Sequence, residues 1–357
     1  MTSLWGSKRQ ARSRLSCAMC VCKNICQQTK GSATAYNFVW LAPATSFMLL
    51  VVLLTLAAAW RAQAKHDALW GARVGFEPLK ETLTMLVNTP VESPCKIAQS
   101  AAFITYANEH MFHLLVMQRR AMELSSRGGT RTCLEKRVTT VCLDTACLKL
   151  CEIHSVPNCV DLKITTDASN FLSEDYVWIT YVKHEIIAAA LSVCKEVFFV
   201  DTDTLIFDDP WTVDLSLPAG PYDLRFQAES GAGGARCDEM GSNGGQIYVR
   251  QTPAAQAYLV AMLSHKDDIR TGGHLDQDYI ISAAQASNAS YCGLNPEYFL
   301  GHCGGSHVAV DDVRKVVIYH VNCATAETKT PLLRHFYETR KAAQELSLTI
   351  DDGQADG

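Results

Sequence analysis

Val197-Phe198-Phe199-Val200-Asp201-Thr202-Asp203-Thr204 is an apolar run that stops at two carboxylates one residue apart. A short unbroken run of β-branched and aromatic residues reads as a buried strand. In an open α/β sheet the carboxyl end of such a strand faces the ligand crevice. Two carboxylates there, with no basic residue beside them in sequence, suit a hard divalent cation. The pattern alone is weak, because about one Asp-x-Asp is expected by chance in a chain this long. A second stands at Asp276 and Asp278. The meaning of the first depends on its surroundings.

Upstream, Ala101-Ala102-Phe103-Ile104-Thr105-Tyr106 reads as a strand. Met111, Leu114, Leu115 and Met122 have helical spacing, and Ser125-Ser126-Arg127-Gly128-Gly129 is a stop signal. Val138 to Asp144 reads as a second strand. Strand, helix, strand is how a parallel α/β sheet begins. A helix over 175–194, with Val177, Tyr181, Ile187, Ala190 and Leu191 on or near one face, leads into the strand ending at Asp201. Beyond it the pattern predicts strands at 245–250 and 316–320 and helices over 253–264 and 276–285. The last residues, 351–357, are polar, without core residues, and are expected to be disordered.

Of the 357 residues, 48% are hydrophobic and 19% charged, a globular composition. Net charge is -5, but residues 1–37 hold six basic residues and no acidic one, so the remainder carries -11 by difference. An acidic body argues against nucleic acid as a partner, since phosphate backbones need clustered Lys and Arg. An anionic ligand would need a metal to offset repulsion.

Residues 38–60 are 23 uncharged residues with Phe38, Trp40 and Trp60 near the ends. About 20 apolar residues span a bilayer, and aromatics anchor its interfaces. The basic segment precedes the span, which places the N-terminus in the cytosol and the body in a lumen. An Arg-rich, acid-free N-terminus also fits an organellar transit peptide. The expected organisation is a cytosolic tail (1–37), a signal anchor (38–60), a stem (61–98), one domain (99–345) and a disordered tail (346–357).

Cys17, Cys20, Cys22 and Cys26 lie in the N-terminal tail, and eleven further cysteines lie in the body. Eleven in a luminal body imply several disulfides and at least one free thiol. Asn288-Ala289-Ser290 is a glycosylation sequon and agrees with a lumen.

Four signals occur in order: Asp201-Thr202-Asp203 on a strand, Asn243-Gly244-Gly245 before a strand, Leu275-Asp276-Gln277-Asp278, and Tyr319-His320-Val321-Asn322 with Lys329 downstream. Over residues 99–340 the chain resembles the nucleotide-diphospho-sugar transferases. These are retaining glycosyltransferases of the GT-A fold, here most similar to the plant and algal type II Golgi enzymes of glycosyltransferase family 77. The resemblance implies an α/β fold with a single Rossmann-type mixed sheet flanked by helices, behind the N-terminal transmembrane helix. It implies transfer from a UDP-sugar of the galactose, xylose or arabinose class to a carbohydrate or glycoprotein hydroxyl, with retention. No dinucleotide is expected, because no Gly-x-Gly-x-x-Gly follows the first strand.

Such a transfer needs its diphosphate leaving group neutralised, which a divalent cation does. Carboxylates with one imidazole favour Mn2+ over Mg2+. Asp203 and His320 are the expected ligands, with Asp201 as a ligand or as a partner to the ribose. Lys329 would add charge at the diphosphate. Asp276 would bind sugar hydroxyls, and Gln277 would stabilise the oxocarbenium-like transition state. By resemblance Lys183 and Asn243 contact the donor, and Thr105 and Asn108 take the uridine. The bland readings are an Asp276 helix cap, a Lys183 that snorkels and ordinary loop residues at Thr105 and Asn108.

Three positions depart from the family pattern. Ile206 stands where a Trp often follows the paired acids, the acid after Tyr222-Asp223-Leu224 is only Glu229, and Cys323 and Ala326 replace an aromatic and a glycine. These bear on sugar and acceptor choice more than on metal binding. The alternative from another class is a non-catalytic luminal membrane protein that keeps the fold as a binding scaffold.

Overall fold

The computed structural model describes residues 76–354 except 90–99, 126–129, 163–173, 214, 216–220, 229–236, 238–241, 267–273 and 304–312. The chain divides into two units, 1–65 and 66–357, and every described residue lies in the second. The expectations for the basic tail and its cysteines, the span 38–60, Cys95 and Glu229 fall outside the described residues. Among the described residues no helix is long and apolar enough to cross a membrane.

In chain order the elements are α1 (Glu77–Asn88), β1 (Ala101–Ala107), α2 (Phe112–Ala121), α3 (Thr130–Arg137), β2 (Val138–Cys142), α4 (Thr145–Ile153), β3 (Cys159–Asp161), α5 (Glu174–Leu191), β4 (Glu196–Val200) and β5 (Thr204–Ile206). They continue as β6 (Leu224–Ala228), β7 (Ser242–Arg250), α6 (Pro253–Ser264), α7 (Gln277–Ala286), β8 (Tyr291–Gly293), β9 (Phe299–Gly301), β10 (Ile318–His320) and α8 (Ala326–Gln354).

The main sheet has seven strands in the order β3-β2-β1-β4-β7-β6-β8. β3, β2, β1 and β4 run parallel, and β7 is antiparallel to both β4 and β6. β4 is central. Val197 and Phe199 enter one apolar core and Phe198 and Val200 the other. Burial on both faces is why its sequence is continuous rather than alternating. Phe198 stacks on Phe299 at 5.5 Å and meets Phe103 and Trp211 edge-on at 5.7 and 6.0 Å. Truncating a ring so placed costs about 3–5 kcal/mol. The chain passes from β1 to β2 on one side and reaches β4 on the other. The gap between the carboxyl ends of β1 and β4 is therefore a topological switch point.

The expectation of a single sheet is corrected by a second one of three strands, β5-β10-β9. The chain leaves β4, turns through Asp201-Thr202-Asp203 and starts β5 at once. Local bonds set that turn. The Thr204 hydroxyl donates to the Asp201 carbonyl at 2.8 Å, and the Thr202 hydroxyl donates to the Tyr106 carbonyl at the end of β1. The acidic pair thus joins the two sheets. β5, β9 and β10 are three residues each, too short to show a period.

Two further differences concern the ends. Residues 77–88, read as stem, form α1, and Leu79 and Leu83 are fully buried. Their spacing of four puts them on one helical face, a pattern too brief to stand out beside Pro90 and Pro94. The tail read as disordered from 346 continues α8 to Gln354. Helix-favouring residues such as Lys341, Ala342, Ala343, Gln344 and Glu345 extend it.

α5 is buried around most of its surface, not along one face: Val182, Ile186, Ile187, Ala188, Ala189 and Ala190 are all inaccessible. Within it sit two polar residues, Lys183 and His184, also buried. A charged group so placed needs a partner.

Candidate active site

The partners of those two residues lie at the end of β4. Lys183 Nζ stands 3.0 and 3.1 Å from the Asp201 carboxylate oxygens and 2.9 Å from the Gly244 carbonyl. It is also 3.7 Å from Asp276 Oδ2, which lies 2.9 Å from His184 Nε2. Lys183 therefore joins two carboxylates from distant parts of the chain instead of snorkelling. Asp276 does not cap α7 through its side chain. That carboxylate turns inward, and Asp278 accepts the Leu275 N–H at 3.0 Å.

The second half of the site comes from the small sheet. His320 Nε2 lies 3.2 Å from Asp203 Oδ1, and Lys329 Nζ lies 2.6 Å from Asp203 Oδ2. β10 delivers His320 here because the Val321 N–H donates to the Asp203 carbonyl at 3.0 Å. Ligating atoms of Asp201, Asp203 and His320 all fall within 4.8 Å of one another.

This donor set fits a divalent cation on three counts. Two carboxylates and an imidazole are suitable ligands. His320 Nδ1 lies 2.6 Å from Gln227 Oε1, and an amide oxygen can only accept, so the proton sits on Nδ1. Nε2 is then free to ligate, the usual arrangement of a metal-bound histidine. Asp201 Oδ1 is buried without an aligned hydrogen bond, although Lys183 is near it.

Electrostatics separate the two acids. Burial pushes Asp201 above the usual carboxylate range; Lys183 opposes this and Asp203 adds to it. Burial would also raise Asp203, but Lys329, together with His320 when its ring is protonated, outweighs it and holds Asp203 well below that range. Asp276 is likewise held below it, because Lys183 and His184 outweigh its burial.

Backbone approach explains the paired glycines. A Cβ on Gly245 would lie 2.0 Å from His320 Cε1, and one on Gly244 would lie 2.7 Å from Asp276 Oδ2. Neither distance can be kept, so a side chain at either position would displace Asp276 or His320, and glycine lets β7 pass this close. Asn243 Oδ1 accepts the Gly245 N–H at 2.8 Å and fixes that passage. Sequence pattern alone gives Asn243 no such backbone role.

Thr105 and Asn108, expected at the uridine, are engaged by the fold. Thr105 is fully buried and 3.4 Å from Gln118 Nε2, and Asn108 Oδ1 accepts the Met111 N–H at 2.9 Å. Gln277 is half-buried at the first residue of α7. Sequence reasoning missed Gln227, which holds His320, and His184, which holds Asp276. It also missed Gln118, which reaches the Asp201 carbonyl at 3.2 Å and the Thr204 hydroxyl at 2.6 Å. None of the three lies in a motif. A polar residue inside an apolar run was the only signal.

Three disulfides are present among the described residues: Cys151–Cys159, Cys237–Cys292 and Cys303–Cys323. The last ties the residues after β9 to those after β10. Asn322 Oδ1 secures the same corner by accepting the His302 and Cys303 N–H groups at 2.6 and 2.9 Å. Cys323 has a φ of 60°, in the left-handed region. A glycine would take that conformation freely, whereas here a disulfide holds it.

The chain is similar to the galactosyltransferase LgtC in complex with donor and acceptor sugar analogues: 12% identity, TM-score 0.42, covering 68% of this chain and 95% of that one. It is similar to a glycosyltransferase involved in glycosylation of the major capsid of PBCV-1, with 11% identity, TM-score 0.41 and coverage of 66% and 98%. For mouse xyloside xylosyltransferase 1 the values are 15%, 0.39, and 63% and 98%. A comparison with curated protein sequences returns no match. The family assignment rests on sequence: the model of the nucleotide-diphospho-sugar transferase family matches residues 133–333, more than half of the chain and the segment that supplies Lys183, Asp201, Asp203, Asp276, His320 and Lys329. The chain belongs to the nucleotide-diphospho-sugar transferase family.

Proposed function

We infer that this protein is a metal-dependent glycosyltransferase that moves a sugar from a UDP-sugar to a carbohydrate or glycoprotein hydroxyl. The observation that carries the reading is the convergence of Asp201, Asp203 and His320 within 4.8 Å, from two different sheets. Mn2+, or Mg2+ in its place, would be held by Asp203 and His320, with Asp201 as third ligand or ribose partner. When bound, such a cation offsets diphosphate charge and acts as a Lewis acid at the leaving group.

The remaining work belongs to this chain's side chains. Lys329 can exchange part of its contact with Asp203 for a phosphate oxygen. Lys183 holds Asp201 and Asp276 at a fixed separation, so that donor phosphate and donor sugar bind in one orientation. Asp276 accepts sugar hydroxyl protons as a carboxylate, consistent with its depressed pKa. Gln277 presents its amide to the anomeric centre, and Asn243 shapes the β7 backbone beneath the sugar. Retention of configuration follows from the family resemblance. The acceptor hydroxyl then attacks from the leaving-group face, and a phosphate oxygen takes its proton. Galactose, xylose and arabinose are the donor candidates.

The location we propose is the Golgi lumen, on a single-pass type II anchor at 38–60. Three disulfides favour an oxidising compartment, and Asn288 of the sequon is exposed.

Hydrolysis of a panel of UDP-sugars by the full-length protein tests the enzyme reading. One or two donors are expected to turn over with Mn2+, and none with chelator. The same panel decides against the scaffold alternative, which predicts no turnover of any donor.

A further inference from the structure

His184 is a buried residue beside the site whose presence neither metal binding nor phosphate binding explains. It is wholly inaccessible in the middle of α5 and lies edge-on to Tyr258, with ring centroids 6.4 Å apart. Nε2 is 2.9 Å from Asp276 Oδ2. Asp276 is ionised at neutral pH, so its oxygen can only accept and Nε2 carries the proton. Nδ1 is buried with no hydrogen-bond partner among the described residues. An unsatisfied buried nitrogen is destabilising. A phenylalanine would fill similar space without it, and so the imidazole is not explained by packing.

Oxygen Oδ2 of Asp276 is crowded. It receives His184 at 2.9 Å and Lys183 at 3.7 Å, and it lies where a Gly244 Cβ would come within 2.7 Å. Two side chains on one oxygen, with the β7 backbone packed close against it, restrict how the carboxylate can turn. Lys183 is shared with Asp201 and is the more distant contact, which leaves His184 as the group dedicated to Asp276. We propose that His184 is a positioning residue that orients Asp276 toward the donor sugar through its Nε2–H. The proposal rests on the sugar-contact reading of Asp276.

His184→Phe keeps the ring and removes the donor; His184→Gln restores an N–H near the Nε2 position; His184→Asn keeps an amide but draws it back. Steady-state kinetics of full-length protein on its best UDP-sugar is the readout, with Mn2+ affinity and Tm measured alongside. A misoriented group costs about 10- to 100-fold in rate. The expected result is a kcat loss of that size in His184→Phe and His184→Asn, with KM and Mn2+ affinity within about threefold, and recovery in His184→Gln. Unchanged kcat in His184→Phe overturns the proposal, as does an equal loss in all three. If His184→Phe does not fold, unchanged kcat in His184→Asn overturns it alone. Asp276→Asn separates the two claims. Full turnover in that variant overturns the sugar-contact reading and the proposal with it, whereas loss in Asp276→Asn beside unchanged His184→Phe overturns only the positioning role.

Discussion

Gln227 holds the Nδ1 side of the His320 ring: Oε1 of the one lies 2.6 Å from Nδ1 of the other. The contact spans 93 residues of sequence and joins β6 of the large sheet to β10 of the small one. It turns Nε2, as a lone pair, toward Asp203 and Asp201.

Removing that acceptor frees the ring to change tautomer. Gln227→Leu is expected to weaken Mn2+ binding about 10- to 100-fold, the usual effect of losing such a support. Gln227→Glu keeps an acceptor and should retain most of the affinity. Calorimetric Mn2+ titration of both variants checks this.

Gly245→Ala places a methyl group against the imidazole. The built Cβ falls 2.0 Å from His320 Cε1, so either the ring or β7 must move. The variant should lose at least about 100-fold in kcat/KM and unfold at a lower temperature. Gly245 lies in the central part of the sheet, and a thermal melt beside the rate separates the two effects.

Breaking Cys303–Cys323 loosens the corner that presents His320 and Lys329. The bridge closes a loop of sequence separation 20, and loss of such a loop costs about 3 kcal/mol. The double variant Cys303→Ser, Cys323→Ser should melt lower and raise the Mn2+ concentration needed for half-maximal turnover. A lower melting temperature with no change in metal dependence would confine the bridge to a stability role.

Asp223 carries a pH-dependent share of stability. Burial alone would raise its pKa, but hydrogen bonds from Thr252 and Ser290 outweigh that and lower it. Those contacts measure 2.7 Å to the Thr252 hydroxyl and 2.7 and 2.8 Å to the Ser290 hydroxyl and N–H. A depressed folded-state pKa stabilises above the unfolded value and loses that stabilisation as pH falls through the folded value. Asp223→Asn should therefore destabilise the protein near neutral pH, by no more than about 1 kcal/mol because the group is solvent-screened. The difference from wild type should shrink as pH falls toward the folded-state value. Urea melts at pH 7 and at pH 3 measure it.

The sequence showed the large sheet more fully than the small one, and the reason is length. β1, β2 and β4 are mostly apolar or β-branched over four or more residues, enough to register as runs, and β7 shows one in Ile247-Tyr248-Val249. β5, β9 and β10 have three residues each, so the sheet that carries His320 was legible only as one strand end. The candidate ligands were readable because they follow strands: Asp201 and Asp203 after β4, His320 at the end of β10. Their supports were not. Gln227, His184 and Gln118 act across 93, 92 and 83 residues of sequence, and no local pattern encodes such distances. The glycines at 244 and 245 suggested close backbone approach, but only the structure names what approaches. Thr105, expected at the uridine, is fully buried within β1, which runs to Ala107.

The central claim is that Asp203 and His320 jointly hold the cation of a donor complex. Binding of Mn2+ in the presence of UDP, followed by the spin resonance of free Mn2+, tests it most directly on full-length wild type, Asp203→Ala and His320→Ala. The account predicts one tightly bound Mn2+ in the wild type and a loss of at least about 100-fold in affinity in each variant. Wild-type affinity in either variant, with the protein folded, would contradict it.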